Sequence, residues 1–190
     1  TKISHVGLLG PDFVGMKPTM MVNEGDEVYI GSKLFEDKKN PGVFFVSPAA
    51  GIVKSINRGE KRRFISIEIE ISDSETQVDI ENVNTNDLIK NLYEFGVINY
   101  FRTRPFNKSP KLNDIPNDVF INICDTNPLS VDPFIYISDE LELFNESLIK
   151  LKETFDCNIH VCYQNDKFKN FIDGITVSYT HLTLPTKVEV

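Results

Sequence analysis

The sequence predicts a chain of mixed α and β structure in two parts, a small all-β domain followed by an α/β domain. Three observations carry this reading. From Lys17 to Ile71 the text is a succession of short β-rich runs separated by Gly, Pro, Asp or Asn. From Ser72 to Asp87 the composition turns polar and acidic, as a linker or wandering loop does, so a boundary is expected near 75–84. Beyond it helical and strand-like segments alternate, an order that belongs to a parallel sheet with crossover connections.

Each element has its own signal. The runs "MMV" (20–22), "EVYI" (27–30), "VFFVS" (43–47), "GIVKSI" (51–56) and "FISIEIEI" (64–71) read as strands, with turns at "EGDEV" (24–28), "NPG" (40–42) and "NRGEKRR" (57–63). In the last strand, strict alternation puts Phe64, Ser66, Glu68 and Glu70 on one face and Ile65, Ile67, Ile69 and Ile71 on the other, so one side packs and the other is wet. Thr85 is the expected N-cap of a helix carrying Leu88, Ile89, Leu92, Tyr93 and Phe95 at helical spacing, with Gly96 as its stop. "DVFINIC" (118–124) reads as a buried strand, "SDELELFNESLIKLKETF" (138–155) as a long amphipathic helix capped by Ser138, and "NIHVCY" (158–163) as a further strand. The expected domains are 1–80, β-rich, and 85–176, α/β. No internal repeat is visible.

Composition narrows the function classes. With 28 acidic against 20 basic residues the formal charge is -8, which disfavours attraction to nucleic acid or anionic lipid. No apolar run approaches the roughly 18–20 residues of a spanning helix. The three cysteines, Cys124, Cys157 and Cys162, lack the spacing of a zinc or cluster site. Cys157 and Cys162 fall on opposite faces of their strand, and buried thiols explain them. The chain opens at Thr1 inside an apolar run, and it reads as a fragment. The tail "VSYTHLTLPT" (177–186) resembles the translation of a transposon-end sequencing adaptor, which makes 177–190 a non-native segment.

The stretch "LFEDKKNPGVFFVSPAAGIV" (34–53) poses the first functional question. Over about forty residues, "EGDEVYIGSKLFE" and "SPAAGIVKSI" resemble the hairpins of biotinyl and lipoyl carrier domains, which form a flattened barrel-sandwich hybrid. In those carriers a lysine at the tip of a tight turn bears the prosthetic group, and Lys38 or Lys39 is the corresponding candidate. Here Pro41 and Gly42 build the turn, downstream of both lysines, so Lys38 and Lys39 are expected on the ascending arm as ordinary exposed charges. The resemblance implies the fold without the prosthetic group.

A longer resemblance follows. "GLLGPDFVGMKP" (7–18), "GDEVYIGSKLFEDKKNPGV" (25–43), "NRGEKR" (57–62), "RTRPF" (102–106), "DTNPLSVDP" (125–133) and "HVC" (160–162) resemble, in order and up to about residue 176, the family of the peripheral A-type subunit of sodium-translocating NADH:quinone reductases. That family implies a bacterial complex that oxidises NADH, reduces quinone and pumps sodium across the inner membrane with flavins and an iron–sulfur centre. The resemblance places this chain on the cytoplasmic face as a peripheral, non-flavin subunit with no independent catalysis. Its implied partners are the other subunits, membrane subunits included, with ubiquinone as a possible ligand and no nucleic acid.

The second half also resembles the Rossmann-like layout of the flavin- and NADH-binding subunit of respiratory complex I. That relative has a glycine-rich loop after a helix and an acidic turn after the next strand. The corresponding stretch here, "GVINYFRTRPF" (96–106), has no glycine after Gly96, and "DTNP" (125–128) puts Thr126 and Asn127 in the acidic turn. A phosphate cradle needs bare backbone so that N–H groups can converge on the anion. Tyr100, Phe101 and Arg102 are expected to fill that space, and no cofactor or metal is expected on this subunit. Arg102, Arg104 and Phe106 are then the candidates for a quinone headgroup, with guanidinium donors for a carbonyl oxygen and a ring to stack, or for contact with a neighbouring subunit. Asp125, Asn127 and Asp132 need only a turn-forming role.

Overall fold

A computed structural model describes residues 3–72, 87–123 and 129–162. The chain divides into two compact units, Thr1–Asp114 and a second from Ile115 onward.

The first unit is a barrel-sandwich of short strands. Strands β1 (His5–Leu9), β7 (Phe64–Ile71), β6 (Gly51–Arg58) and β3 (Glu27–Val28) form one sheet in the order β1-β7-β6-β3. Strands β2 (Pro18–Met20), β4 (Lys33–Asp37) and β5 (Phe44–Val46) form a second in the order β2-β4-β5. All the pairings are antiparallel. Val28, Leu34, Phe35, Phe45, Val53, Phe64, Ile67 and Ile69 make the shared core. Within it Phe35 stacks on Phe45 with ring centroids 4.6 Å apart and meets Phe64 at 5.1 Å.

Strand β7 departs from strict alternation. Ile67 and Ile69 are buried and Glu68 and Glu70 exposed, as the pattern requires, but Phe64 and Ser66 are also buried and Ile65 is exposed. The register with β6 slips between Asn57↔Ser66 and Arg58↔Phe64. One extra residue there bends the strand, so both of its faces reach apolar surroundings at different points. A similar irregularity between Lys33 and Phe35 lets the consecutive Leu34 and Phe35 both be buried.

Helix α1 (Leu88–Glu94) belongs to this first unit, because Tyr93 and Ile98 are part of its core. Its N-cap is Asp87, whose carboxylate accepts from Lys90 N at 3.0 Å, in place of the expected Thr85, which lies outside the described residues. An ionised cap two residues nearer the helix meets the same orphan donors and the positive end of the dipole. Gly96 ends the helix in the left-handed region at φ 70°, as expected.

In the second unit β8 (Asp118–Asn122) pairs in parallel with β9 (Asn158–Cys162), joined by α2 (Phe134–Ile137), a 3-10 turn (Ser138–Glu140) and α3 (Leu141–Phe155). Leu148 and Phe155 of α3 are buried, as are Val119, Ile159 and Val161 of the strands. Ser138 does not cap α3, since its hydroxyl donates back to Ile135 O at 3.4 Å and Glu140 stands at the cap position without a side-chain bond. Cys157 is buried, and burial, with Asp118 and Asp156 nearby, pushes its thiol above the ordinary range. Cys124 and the segments 125–128 and 163–190 are outside the described residues. Among those described, no helix is long and apolar enough to cross a membrane.

Candidate functional site

The predicted site residues fall within a single irregular segment, 96–112, that wraps the first unit. Its start is fixed by close approach to strand β5. A Cβ at Gly96 would stand 2.9 Å from Phe44 O and 3.2 Å from Val46 Cγ1, so only glycine fits. Three residues on, Asn99 is buried and donates through Nδ2 to Phe44 O at 2.6 Å and Gly96 O at 3.2 Å. Lys33 reinforces the same junction, lying 3.3 Å from Glu94 and 4.2 Å over the Phe44 ring.

Arg102 is an internal anchor. Nη1 donates to the carbonyls of Asn99 and Phe101 and to Ser109 Oγ, and Nη2 donates to Asp12 O at 3.4 Å. The guanidinium sits 5.2 Å from the centroid of the Phe13 ring, a cation–π distance, and Phe13 in turn meets Phe45 edge-on at 4.6 Å. Burial draws the Arg102 pKa down, opposed by the Asp12 carboxylate, and arginine stays charged under both influences. The side chain therefore ties the loop after β1 to the segment after α1 and has little left to offer a ligand.

Arg104 and Phe106 are placed differently. Thr103 N donates to Lys108 O at 2.8 Å and Asn107 N to Thr103 O at 2.8 Å, closing a tight loop with a cis Arg104–Pro105 bond and Asn107 at φ 53°. The loop holds Arg104 out with no hydrogen bond or ion pair among the described residues, and Phe106 is 70% exposed. Lys108 Nζ lies 5.7 Å from the Phe106 ring. The structure thus separates the three candidates into one half-buried anchor and an exposed cation–aromatic tip.

The carrier-like turn packs beside this loop. Lys38 and Lys39 are not on the ascending arm: strand β4 ends at Asp37, and the two lysines are the centre of a turn closed by Asn40 N to Asp37 O, followed by the Pro41-Gly42 turn closed by Val43 N to Asn40 O. The Asp37 carboxylate accepts from Lys17 N and Lys39 N and so braces the first of these turns. Lys39 Nζ donates to Gly15 O at 2.8 Å, and Asn40 Nδ2 donates to Pro110 O at 2.9 Å. An amine engaged with its own backbone is a poor carrier of a swinging arm, and the carrier reading is not favoured.

The nucleotide comparison also takes physical form. In 96–107 the N–H groups of Asn99, Phe101, Thr103 and Asn107 are spent on Gly96, Ile98, Lys108 and Thr103 carbonyls. These four donors are engaged within the chain, whereas a phosphate cradle is built from converging backbone N–H groups left open to the anion. The expected filling is only partly right: Phe101 packs against the core and Arg102 is half-buried, but Tyr100 is 86% exposed and fills nothing. The short 3-10 turn Val97–Tyr100 directs Ile98 and Asn99 inward, which leaves Tyr100 outside. Asp125, Thr126 and Asn127 lie outside the described residues.

Sequence reasoning missed Asp12, Phe13, Gly15 and Asn99. The first three were visible only as part of the run 7–18, and nothing in linear spacing ties that run to Arg102.

Comparison with known proteins adds independent information. Residues 1–72 match the NqrA N-terminal barrel-sandwich hybrid domain and residues 83–185 the NqrA second alpha/beta domain. The chain is 43% identical over 191 aligned residues to the A-type subunit of the Na(+)-translocating NADH-quinone reductase of Yersinia pseudotuberculosis serotype O:1b (strain IP 31758), covering 96% of this chain and 42% of that protein. It is 42% identical over 174 residues to the corresponding protein of Glaesserella parasuis serovar 5 (strain SH0165), covering 86% and 39%. With that of Actinobacillus pleuropneumoniae serotype 5b (strain L20) it shares 39% over 187 residues, covering 92% and 42%. The chain spans about two fifths of the length of the curated relatives it matches.

Proposed function

Because this chain belongs to the NqrA family, the A-type subunits of the Na(+)-translocating NADH-quinone reductases, we propose that it serves as a peripheral, non-flavin subunit of a bacterial sodium-pumping NADH:quinone oxidoreductase. It contributes to assembly and to the quinone end and has no catalysis of its own. NADH, flavins, quinone and an iron–sulfur centre are used by the complex, and none is a resident cofactor of this subunit. The place proposed for it is the cytoplasmic face of the inner membrane, in contact with the membrane subunits.

The observation that carries the reading is the exposed tip Arg104–Phe106, in the tight loop closed between Thr103 and Lys108 just after the anchored Arg102. A guanidinium with no partner among the described residues, beside an exposed ring, can bond the carbonyl oxygen of a quinone headgroup and stack on it, or meet a carboxylate of a neighbouring subunit. The paired variant Arg104→Gln/Phe106→Ala, carried in the assembled complex, separates the two. Loss of quinone-site inhibitor binding with full subunit retention assigns the tip to the headgroup. Loss of retention assigns it to the neighbour, and wild-type behaviour in both assays removes the tip from the proposal. Titration with NADH and with FMN tests the cofactor part, and stoichiometric binding of either overturns it.

The division into 1–80, 85–176 and a non-native 177–190 belongs to the same proposal. The matches at 1–72 and 83–185 support the first two segments, the second match runs past residue 177, and by packing the compact first unit extends to Asp114, so α1 lies in the second segment by sequence and in the first unit by contact. Resequencing the gene through its 3′ end decides the tail.

A further inference from the structure

The turn between β6 and β7 carries more positive charge than the fold uses. Arg58, Lys61, Arg62 and Arg63 stand there against one carboxylate, Glu60, and all five residues are exposed. Gly59 N donates to Arg63 O at 2.8 Å and Arg63 N to Glu60 O at 3.1 Å, while Arg58 is the register partner of Phe64, so the four cations are gathered on one short hairpin tip. None of the four makes an ion pair, side-chain hydrogen bond or ring contact among the described residues. The carboxylates beside β6 are already engaged: Glu24 accepts from Ile56 N at 2.7 Å and Glu68 from Asn57 Nδ2 at 2.8 Å. The backbone adds a second observation. Lys61 and Arg62 have φ 54° and 60°, two successive left-handed residues. Hairpin turns of that form ordinarily use Asn and Gly, because a Cβ makes the region costly. Nothing within the described fold offsets that cost, which points to an anion outside it.

We propose that the Arg58–Arg63 tip is a contact for the anionic phospholipid headgroups of the membrane on which the complex sits. The inference rests on the peripheral subunit role proposed above. Phosphodiesters in a leaflet form a plane of negative charge, which flexible cations meet without a shaped pocket. Ile65, 44% exposed and lying against Gly59 at the base of the tip, adds an apolar contact at the interface. The formal charge of -8 opposes such a surface for the chain as a whole. At about 0.1 M salt, however, the screening length is about 10 Å, so a tip that touches the membrane is governed by its own cations.

Flotation of the whole chain with phosphatidylglycerol-containing and with pure phosphatidylcholine vesicles, at about 0.1 M salt, tests this. Binding is expected to the first alone and is expected to weaken as salt rises. Lys61→Asn/Arg62→Gly is expected to lower partitioning about twentyfold, roughly fivefold for each cation removed. The same variant is expected to raise the urea midpoint, since both new residues suit the left-handed turn. The control Lys90→Gln/Lys150→Gln removes equal charge from exposed positions elsewhere and is expected to partition like wild type. No binding to the anionic vesicles, wild-type partitioning of the tip variant, or an equal loss in the control overturns the lipid contact. A lowered midpoint in the tip variant also overturns it, by showing that the two cations serve the fold. In the detergent-purified complex the tip variant is expected to be fully retained, and its loss there assigns the tip to an acidic neighbouring subunit instead. Failure of the wild-type chain to copurify with the complex, with vesicle binding intact, overturns the subunit role alone.

Discussion

Asn99 donates its side-chain amide to the carbonyl of Phe44, 55 residues earlier in the chain, at 2.6 Å. This bond joins the segment after α1 to the edge strand β5 and gives a half-buried carbonyl a partner from outside its sheet. Replacing Asn99 with Ala is expected to destabilise the first unit by about 1–2 kcal/mol, because the bonds from the buried Asn99 amide are lost and the half-buried Phe44 carbonyl is left without that donor. Asn99→Asp is expected to cost more, since a carboxylate oxygen would face the carbonyl. Urea unfolding of the two variants measures both.

Gly96 and Gly25 provide a matched comparison. Both have positive φ, at 70° and 92°, but a Cβ at Gly96 would press on Phe44 O and Val46, whereas nothing lies within 4 Å of one at Gly25. Gly25→Ala is expected to show only the backbone cost of about 1–2 kcal/mol. Gly96→Ala adds a steric term and is expected to lower the unfolding midpoint further. Equal midpoints would show that the β5 junction gives way without resistance.

Arg102 and Arg104 are two residues apart and are expected to behave oppositely. Arg102→Lys loses the forked donor set and the stacking on Phe13, with an expected loss of about 1–3 kcal/mol and faster amide exchange at Thr103 and Asn107. Arg104→Gln removes an exposed side chain without partners among the described residues and is expected to stay within about 0.5 kcal/mol of wild type. Hydrogen exchange followed by mass spectrometry distinguishes the two.

Tyr93 gives the first unit an alkaline limit. Its hydroxyl donates to Lys111 O, and burial, aided by the Asp114 carboxylate, pushes its pKa up to about 12. A pKa above the unfolded value of about 10 favours the protonated form in the folded state. The contribution is therefore complete below about pH 10 and is lost as pH rises through about 12. Spectrophotometric titration of wild type against Tyr93→Phe is expected to show a phenol titrating near 12 in the difference. A difference midpoint near the ordinary value of about 10 would mean that Tyr93 is open to water.

Asp118 sets an acid limit on the β8–β9 pair. A hydrogen bond from His160 at 2.8 Å, then one from Asn158, holds its carboxyl below the ordinary range. A depressed pKa contributes stability above the unfolded value of about 3.9 that disappears as pH falls through the folded value. Asp118→Asn is expected to flatten stability against pH below about 4 in the second unit, read by circular dichroism.

Much of the first unit was legible because its signals are local. The Pro41-Gly42 turn, the helix stop at Gly96 and the apolar Ile67 and Ile69 each follow from a few consecutive residues. The parallel pairing of β8 with β9 likewise followed from the order of elements. Errors came where a local signal had a competitor nearby: Asp87 outcompeted Thr85 as the cap, Ser138 turned back onto Ile135, and a bulge moved Phe64 and Ser66 to the buried side.

Composition and short-range periodicity were enough for the two kinds of architecture, for the absence of a spanning helix among the described residues and for the acidity of the second half. Folding had to be complete before Arg102 became an anchor, Tyr100 pointed out and Lys39 was tied to Gly15. Those outcomes depend on which carbonyls and rings lie within a hydrogen bond's reach once the chain has closed on itself. Residues as far apart as Asp12 and Arg102 meet only when the core between them has packed, and no spacing along the chain encodes that distance.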